Sequence, residues 1–329
     1  MGVLKEKNYL IESRNKRGWS QFSERGILLV FIGICIILSI AAPNFRHLTN
    51  LINISRQIVE VGISAIGMTY LIICAEFDLS VGSVYGLSGI TAAIILRSGW
   101  PVPLAFIGPI LVGAAIGLIN GLITTKLRVP AFIVTLSTLA LARGVVYGIS
   151  SGYSISVFPK SALSFFAIGN SIGGVFPVQI IIMIVLYIIA GIVLSKTTLG
   201  FKIYATGGNK KAAQLTGINT DRIKIYAFII CSVTAAISGI LSLGYLQSVH
   251  PSAGIGREMD VIAAVILGGA YLYGGRGTIL GTFIGAAIIG VIRNGMILLR
   301  VPAYSQEAFI GFVILVAVIA DIWLKREKT

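Results

Sequence analysis

The sequence predicts an all-α, polytopic membrane protein with about ten transmembrane helices and with both termini in the cytoplasm. Of its 329 residues, 56% are hydrophobic and 12% are charged, and the mean hydropathy is +0.93. A soluble domain of this length carries roughly 25% charged residues, so too few polar side chains remain to cover a water-facing exterior. A lipid bilayer is therefore expected to surround most of the molecule.

Ten apolar stretches support this fold class, because a helix needs roughly 20 apolar residues to cross a bilayer. The third and eighth stretches are short, which is typical of spans interrupted near glycine or of helices that line a cavity. The ten predicted spans are residues 27–42, 58–75, 84–96, 102–125, 131–149, 176–194, 225–246, 259–272, 277–299 and 303–324.

The basic residues set the expected orientation, since cytoplasmic loops retain Lys and Arg. With the N-terminus inside, 18 of the 26 Lys and Arg lie in cytoplasmic segments and six lie in the opposite loops. We therefore expect a cytoplasmic leader at residues 1–26, a transmembrane domain at 27–324 and a cytoplasmic tail at 325–329. The net charge of +14 comes from 26 Lys and Arg against 12 Asp and Glu, and the retention of basic residues in cytoplasmic loops explains this excess. No nucleic-acid partner is expected, because the basic runs lack interleaved aromatic residues.

The sequence offers little that an enzyme would need. It contains no phosphate-binding G-x-x-x-x-G-K-[ST] loop, so we do not expect this chain to hydrolyse ATP. The segment around Ser88 matches the GxSG of intramembrane serine proteases, but His47 and His250 are the only histidines and both fall in outer loops. The three cysteines show no CxxC spacing. We therefore predict no catalytic residue, no metal site and no cofactor.

The inner loop at residues 195–224 contains a predicted short helix at 210–216. Asn209 suits its N-cap, and Gly217 suits the left-handed position just past its end. The exposed face of this helix would offer Ala212, Ala213 and Leu215. Two interpretations stay open, namely a helix that enters a groove on another protein and a helix that rests on lipid headgroups.

Acidic residues cluster at the ends of predicted spans. Glu258 and Asp260 open a helix, where the helix dipole favours negative charge, and Asp78 is placed to cap the following span. The alternative is a polar translocation path or gate, in which these acids and nearby hydroxyls bind polyol hydroxyl groups. The candidates for that path are Asp78, Ser80, Ser83, Glu258 and Asp260. Two arginines within spans, Arg143 and Arg293, either snorkel towards the interface or pair with an acid.

Two further features have alternative explanations. Glycines recur every four residues at 113, 117 and 121 and at 277, 281 and 285, which indicates close helix packing either within one chain or between two copies. The outer loop at residues 150–175 is rich in Ser and Gly and contains three phenylalanines. It is expected to be a flexible cap or a docking surface for an extracellular partner.

Several blocks of sequence resemble one transporter family. The segment FDLSVGS at 77–83 is similar to a signature of monosaccharide ABC-importer permeases, the ribose, xylose and galactoside group. Further blocks agree in order along most of the chain, and the resemblance is greatest to the ribose type. Glu76 and Phe77 depart from the Gly-Ile that usually precedes this Asp. These blocks are PAFIVTL at 130–136, YATGGNKKAA at 204–213, EMDVIAAVILGG at 258–269, GGRGTILGT at 274–282 and NGM at 294–296.

The resemblance implies a permease subunit, not an enzyme, in a bacterial inner membrane. A cytoplasmic ABC ATPase subunit would dock at the loop from Gly208 to Gly217, a soluble sugar-binding protein would deliver substrate outside, and a second copy or paralogue would complete a dimer. The resemblance assigns no residues as sugar ligands, and a permease for autoinducer 2 remains an alternative. A secondary transporter is a weaker alternative, since ion coupling needs ionisable groups at mid-membrane.

Overall fold

The computed structural model describes residues 26–174 and 176–326, and this part of the chain is almost entirely helical. The predicted leader, apart from Gly26, and the last three residues of the predicted tail lie outside the described residues. The helices are α1 (Gly26–Ala41), α2 (Leu48–Ile73), α3 (Val81–Arg97), α4 (Val102–Lys126), α5 (Ala131–Ser150), α6 (Val178–Lys196), α7 (Thr198–Gly208), α8 (Lys210–Leu215), α9 (Thr220–Leu246), α10 (Arg257–Leu267), α11 (Ile279–Leu298) and α12 (Ala303–Arg326).

Six of the described helices, α2, α4, α5, α6, α9 and α11, are long and apolar enough to cross a membrane. Three shorter apolar helices accompany them, namely α1, α3 and the part of α12 from Tyr304 to Val316. One two-stranded hairpin, β1 (Ser171–Ile172) with β2 (Phe176–Pro177), lies before α6. The all-α, polytopic membrane fold predicted from the sequence is confirmed.

The long helices divide into a central and a peripheral set. In the apolar windows of α2, α9 and α11, 78% of the residues are buried, against 22–28% in α4, α5 and α6. The peripheral helices therefore present apolar side chains outward, as a lipid environment requires, whereas the central helices contact protein on nearly all sides. The core of the molecule lies between α2 and α9.

The glycine run on α4 brings this helix against α9. A Cβ atom at Gly117 would lie 2.6 Å from the carbonyl oxygen of Phe228 and 2.8 Å from the Cα of Ile229. Gly113 and Gly121 face the backbone of α9 in the same way, and Gly281 and Gly285 pack against the carbonyl end of α10. In lipid such close backbone contact takes the place of the hydrophobic effect as the force between helices. Both glycine runs thus serve packing within the chain.

The eighth predicted span, residues 259–272, is not a continuous helix. α10 ends at Leu267, and its 11 residues extend about 16 Å, roughly half of a bilayer core. The chain then turns through Gly269, Gly274 and Gly275, whose φ angles of 83°, 87° and 77° are left-handed. Glycine adopts this conformation without steric cost, so the chain reaches α11 by irregular backbone.

The outer segment between α5 and α6 is packed onto the bundle, contrary to the flexible cap considered for it. Phe165 is fully buried and stacks on Phe106 at a centroid distance of 4.8 Å, while Phe158 stacks on Phe166 at 5.1 Å. The sequence suggested a loose loop because Ser and Gly dominate it. The aromatic side chains between them nevertheless bury enough apolar surface to hold the segment in place.

We predict that Gly117→Ala destabilises the fold. The added methyl group overlaps the backbone of α9, and overpacking of this kind costs about 1–3 kcal/mol. The thermal unfolding midpoint of the purified protein in detergent measures the effect. Gly144→Ala on α5 is the matched control, because nothing lies within 4 Å of a Cβ there. Equal unfolding midpoints for the two variants would contradict the packing role of Gly117.

Candidate functional site

Asp78 lies in the turn between α2 and α3 and is fully buried. Its Oδ1 accepts hydrogen bonds from the backbone N–H of Ser80 at 2.7 Å and from the Ser80 hydroxyl at 2.5 Å. Burial raises the pKa of the Asp78 carboxyl above its ordinary value, and the hydrogen bonds from Ser80 act in the opposite direction. Ser80, not Asp78, occupies the N-cap position of α3. Asp78 therefore fixes the turn that precedes the helix.

The hydroxyl groups near Asp78 connect three helices. Asn120 on α4 donates its amide N–H to Ser80 Oγ at 3.2 Å and accepts from Thr138 on α5 at 2.6 Å. Ser83 donates to the carbonyl of Leu139 at 2.9 Å. The structure thus places Asp78, Ser80 and Ser83 in one buried polar region between α3, α4 and α5, where Ser83 bonds only to the backbone of α5.

Glu258 and Asp260 lie in the first turn of α10, as predicted from the sequence. Asp260 is almost fully buried and forms an ion pair with Arg293 of α11, with 2.7 Å between Oδ1 and Nη2. The pairing predicted as one alternative for Arg293 is confirmed. The ion pair therefore joins α10 to α11 near the start of α10.

Arg143 takes neither of the two roles considered for it, which were snorkelling towards the interface and direct pairing with an acid. Its Nη1 donates to the carbonyl oxygens of Pro251 at 2.9 Å and Ala253 at 2.7 Å. The Glu258 carboxylate lies nearby, against the backbone of Gly82, and interacts with Arg143 electrostatically. Arg143 therefore anchors the segment before α10 to α5.

Sequence reasoning missed a second ion pair, between Glu60 and Arg257. The two side chains are 2.7 Å apart, and the Arg257 guanidinium lies 4.7 Å from the centroid of the Tyr85 ring. Glu60 also accepts from the Ser242 hydroxyl at 3.1 Å. The predicted second span began at residue 58, which made Glu60 resemble a span-end residue. Because α2 begins at Leu48, Glu60 lies near the middle of this helix.

The two ion pairs border one cavity. It lies between α2, α10 and α11, has a volume of about 140 Å³, and is lined by Gln57 in addition to the four charged side chains. Of the residues predicted from the sequence for a polar path, only Asp260 lines it. Asp78, Ser80 and Ser83 belong to the separate network described above.

The short helix predicted at 210–216 is present as α8. The Asn209 side chain accepts from the Ala212 N–H at 3.0 Å as the N-cap, and Gly217 follows the helix with a φ of 85°. Both predictions are confirmed. The expected exposure of Ala213 is wrong, since this residue is 4% exposed, whereas Leu215 is 90% exposed. Ala213 faces inward because a six-residue helix lying on the protein must bury one side.

A second helix, α7, was not predicted within the inner loop. Thr197 is its N-cap and accepts from the Gly200 N–H, and Asn209 alone separates its end from α8. The Tyr204 hydroxyl donates to the carbonyl of Gly277 at 2.6 Å, next to the point where α11 begins. Gly275, in the same segment, donates its N–H to the carbonyl of Ile73 at the end of α2. α7 therefore contacts the segment just before α11 through Tyr204, and it contacts the end of α2 through Ile203, whose carbonyl accepts from Cys74 Sγ at 3.9 Å.

Comparison with known proteins identifies the family. Residues 50–318 match the family described as "Branched-chain amino acid transport system / permease component". The ribose import permease protein RbsC of Haemophilus influenzae is 40% identical over 302 residues, which cover 91% of this chain and 94% of that protein. No solved structure matches the chain.

Two further relatives agree with this assignment. RbsC of Bacillus subtilis is 39% identical over 295 residues, covering 88% of this chain and 91% of that protein. The L-arabinose transport system permease protein AraH of Escherichia coli is 35% identical over 312 residues, which cover 95% of this chain and 93% of that protein. All of these relatives are transport permeases, and the apolar helices of the described residues suit a multi-pass membrane location. The chain therefore belongs to the branched-chain amino acid transport system / permease component family.

Proposed function

We propose that this chain is the permease subunit of a bacterial ABC importer for a monosaccharide, with ribose as the first candidate and arabinose as the second. The observation that carries the proposal is the 40% identity to a ribose import permease over 91% of the chain. The similarity to an arabinose permease supports a pentose, because both sugars are pentoses. A separate ATPase subunit supplies the energy, in keeping with the missing phosphate-binding loop.

Ten spans with both termini in the cytoplasm complete the proposed architecture. The spans are α1 to α6, α9, α10 with the irregular segment after it, α11 and α12. Residues 27–324 form the transmembrane permease domain between the leader and the tail, and 195–224 form the coupling loop. The excess of Lys and Arg in the segments assigned to the cytoplasm supports this orientation.

The ATPase subunit docks on α8 in this proposal. Leu215 at 90% exposure and Phe201 at 68% offer apolar contact, with Lys210 and Lys211 beside them. Gly208, Asn209, Ala212 and Gly217 set the shape of this surface. Because α7 is hydrogen-bonded to the segment before α11, a displacement of α8 reaches α2 and α11. ATP-driven closure of the partner can thus reorient the central helices and alternate the access of the path.

The remaining partners follow from the family. A soluble sugar-binding protein docks on the outer side, where the packed segment between α5 and α6 exposes Tyr153 and Phe176. A second copy or a paralogue of this chain forms the dimer. Glu258 and Asp260 lie along the polar path, and the network of Asp78, Ser80 and Ser83 holds the helices that move beside it.

We predict that transport requires the partner subunits. The purified chain in liposomes moves no ribose by itself, because it has no means of using ATP. Uptake of radiolabelled ribose begins when the ATPase, the binding protein and ATP are supplied. Gradient-driven ribose uptake by the chain alone would refute the proposal and favour a secondary transporter.

We predict that reporters fused at Lys160 and at Lys211 lie on opposite sides of the membrane. Lys160 is in an exposed turn between α5 and α6, and Lys211 is exposed on α8. Paired alkaline phosphatase and fluorescent-protein fusions should report Lys160 outside and Lys211 inside. The opposite signal at either position is incompatible with the proposed topology.

We predict that Leu215→Asp uncouples the ATPase. Burying a leucine at an interface contributes about 1.5–3 kcal/mol, so its loss weakens docking at least tenfold. Sugar-stimulated ATP hydrolysis by the assembled complex should fall accordingly, with normal expression. Leu127→Asp is the matched control, because Leu127 is 70% exposed in another loop assigned to the cytoplasm, between α4 and α5. If α8 rests on lipid headgroups instead, Leu215→Asp leaves sugar-stimulated hydrolysis near that of the control.

A further inference from the structure

α4 and α9 lie antiparallel with their backbones in direct contact. The glycine run of α4 meets α9 at progressively earlier residues, with Gly113 against Ser232 and Gly121 against Ile225. A Cβ atom on Gly121 would lie 2.9 Å from the Cα of Ile225. The last residue of α4, Lys126, therefore lies at the same end of the bundle as the beginning of α9.

One flank of this contact is covered by other helices. Asn120, which precedes Gly121 by one residue, is fully buried. Its side chain donates to Ser80, the N-cap of α3, and accepts from Thr138 of α5. Each residue turns an α-helix by roughly 100°, so a residue that follows a contact position by one points to the opposite flank.

The opposite flank is an open apolar groove. Leu118 and Leu122 each follow a contact glycine of α4 by one residue, and they are 41% and 39% exposed. Tyr226 follows Ile225 of α9 by one residue and is 50% exposed. In antiparallel helices a step of one residue past the contact turns both helices towards the same side. Leu118, Leu122 and Tyr226 therefore line a single groove between α4 and α9.

Two basic side chains lie at the end of this groove. Lys126 is four residues after Leu122 on α4 and shares its helix face. Arg222 is four residues before Tyr226 on α9 and shares the helix face of the tyrosine. Both cations are exposed, and within the described residues neither of them forms an ion pair. The groove thus receives one positive charge from each helix at the same end.

The neighbouring charges leave this end of the groove positive. Lys224, in the same turn of α9, is paired with Glu76 and is therefore neutralised. Asp221 is five residues from Tyr226, or roughly 140° around the helix, so it lies away from the groove. Arg128, in the loop after α4, is exposed and adds a third cation. A cluster of this kind attracts an anionic ligand.

The ends of α4 and α9 reach the level of the lipid headgroups. The helices have 25 and 27 residues and extend about 38 and 40 Å, against about 30 Å for the hydrocarbon core of a bilayer. The retention of basic residues at the ends of spans explains why cations occur here. It does not explain why one cation from each helix lies on the same open apolar groove, each one turn beyond an exposed lining residue.

We infer that the groove between α4 and α9 is a binding site for an anionic phospholipid. The guanidinium of Arg222 and the ammonium of Lys126 bind the phosphate oxygens of the headgroup. An acyl chain lies along Leu118 and Leu122, and the Tyr226 phenol lies at the interface, where tyrosine is enriched in membrane proteins. The inference requires only the membrane location of the chain and does not depend on which solute it transports.

The test measures lipid binding to the purified chain in detergent by native mass spectrometry. Phosphatidylglycerol and phosphatidylcholine are titrated separately, because both carry a phosphate and acyl chains but only the first has a net negative charge. We expect the first bound lipid to be at least tenfold tighter for phosphatidylglycerol. Equal affinity of the wild type for the two lipids would overturn the inference.

The double variant Lys126→Gln with Arg222→Gln should lose this preference for phosphatidylglycerol. Two basic contacts to an anionic headgroup account for a change in affinity of about tenfold or more. Both side chains are exposed, so the unfolding midpoint of the variant without added lipid should equal that of the wild type.

Lys196→Gln with Lys202→Gln is the matched control. It removes the same charge from two exposed lysines, at the end of α6 and on α7, which lie outside the groove. We expect this variant to keep the lipid preference of the wild type. An equal loss of preference in both double variants would show attraction by net charge alone and would overturn a defined site.

Two further measurements separate other occupants of the groove. Inorganic phosphate should not displace phosphatidylglycerol, since it lacks the acyl chains that contact Leu118 and Leu122. Displacement by inorganic phosphate would replace the lipid site with a simple phosphate site. Unchanged phosphatidylglycerol binding in Lys126→Gln with Arg222→Gln, together with lost binding of the ATPase subunit, would assign the two cations to that subunit and overturn the inference.

Discussion

The pairing of charges inside a bundle surrounded by lipid is the constraint on which the rest of the structure depends. α10 is too short to cross a bilayer, and irregular backbone follows it, so this part of the chain must be held against protein on all sides. Glu60 with Arg257 and Asp260 with Arg293 fasten α10 to α2 and α11. Glycines at positions 281 and 285 then allow α11 to approach the end of α10. Without both kinds of contact, a half-length helix in this position would leave backbone groups facing lipid.

The irregular segment after α10 also connects α2 with α7. It contacts the end of α2 through Gly275 and the side chain of Tyr204 through Gly277. The same helices, α2 and α11, border the charged cavity further along their length. Rigid helices that contact α7 near one end and the cavity further along provide a physical link for coupling, because a rigid element transmits displacement along its axis. The interruption of the eighth predicted span therefore places irregular backbone against both the end of α2 and α7.

The sequence predicted features governed by local chemistry and missed those set by tertiary contact. Apolar stretches gave the helical membrane fold, and the Asn209 cap and Gly217 were recognisable because capping depends on a few neighbouring residues. The burial of Ala213 depends on which side of α8 meets the protein, which its sequence does not encode. Glu60 was overlooked because the polar beginning of α2, from Leu48, contains too few apolar residues to be recognised as part of a span. The gap between the second and third apolar stretches placed Asp78 just before a helix, but the hydrogen bonds that it makes there required the fold.

Paired charges also limit the kind of substrate that can pass along a path lined by them. An ion-coupled carrier needs an ionisable group that is free to exchange its partner, whereas the acids at this cavity are each held by an arginine. Those pairs still present hydrogen-bond donors and acceptors, which a neutral substrate with hydroxyl groups can use without breaking either pair. The contact is necessarily modest, because each hydrogen bond replaces one that the sugar made with water. Modest binding suits a transport path, in which the ligand must enter and also leave, and it places the energetic work of import on the ATPase.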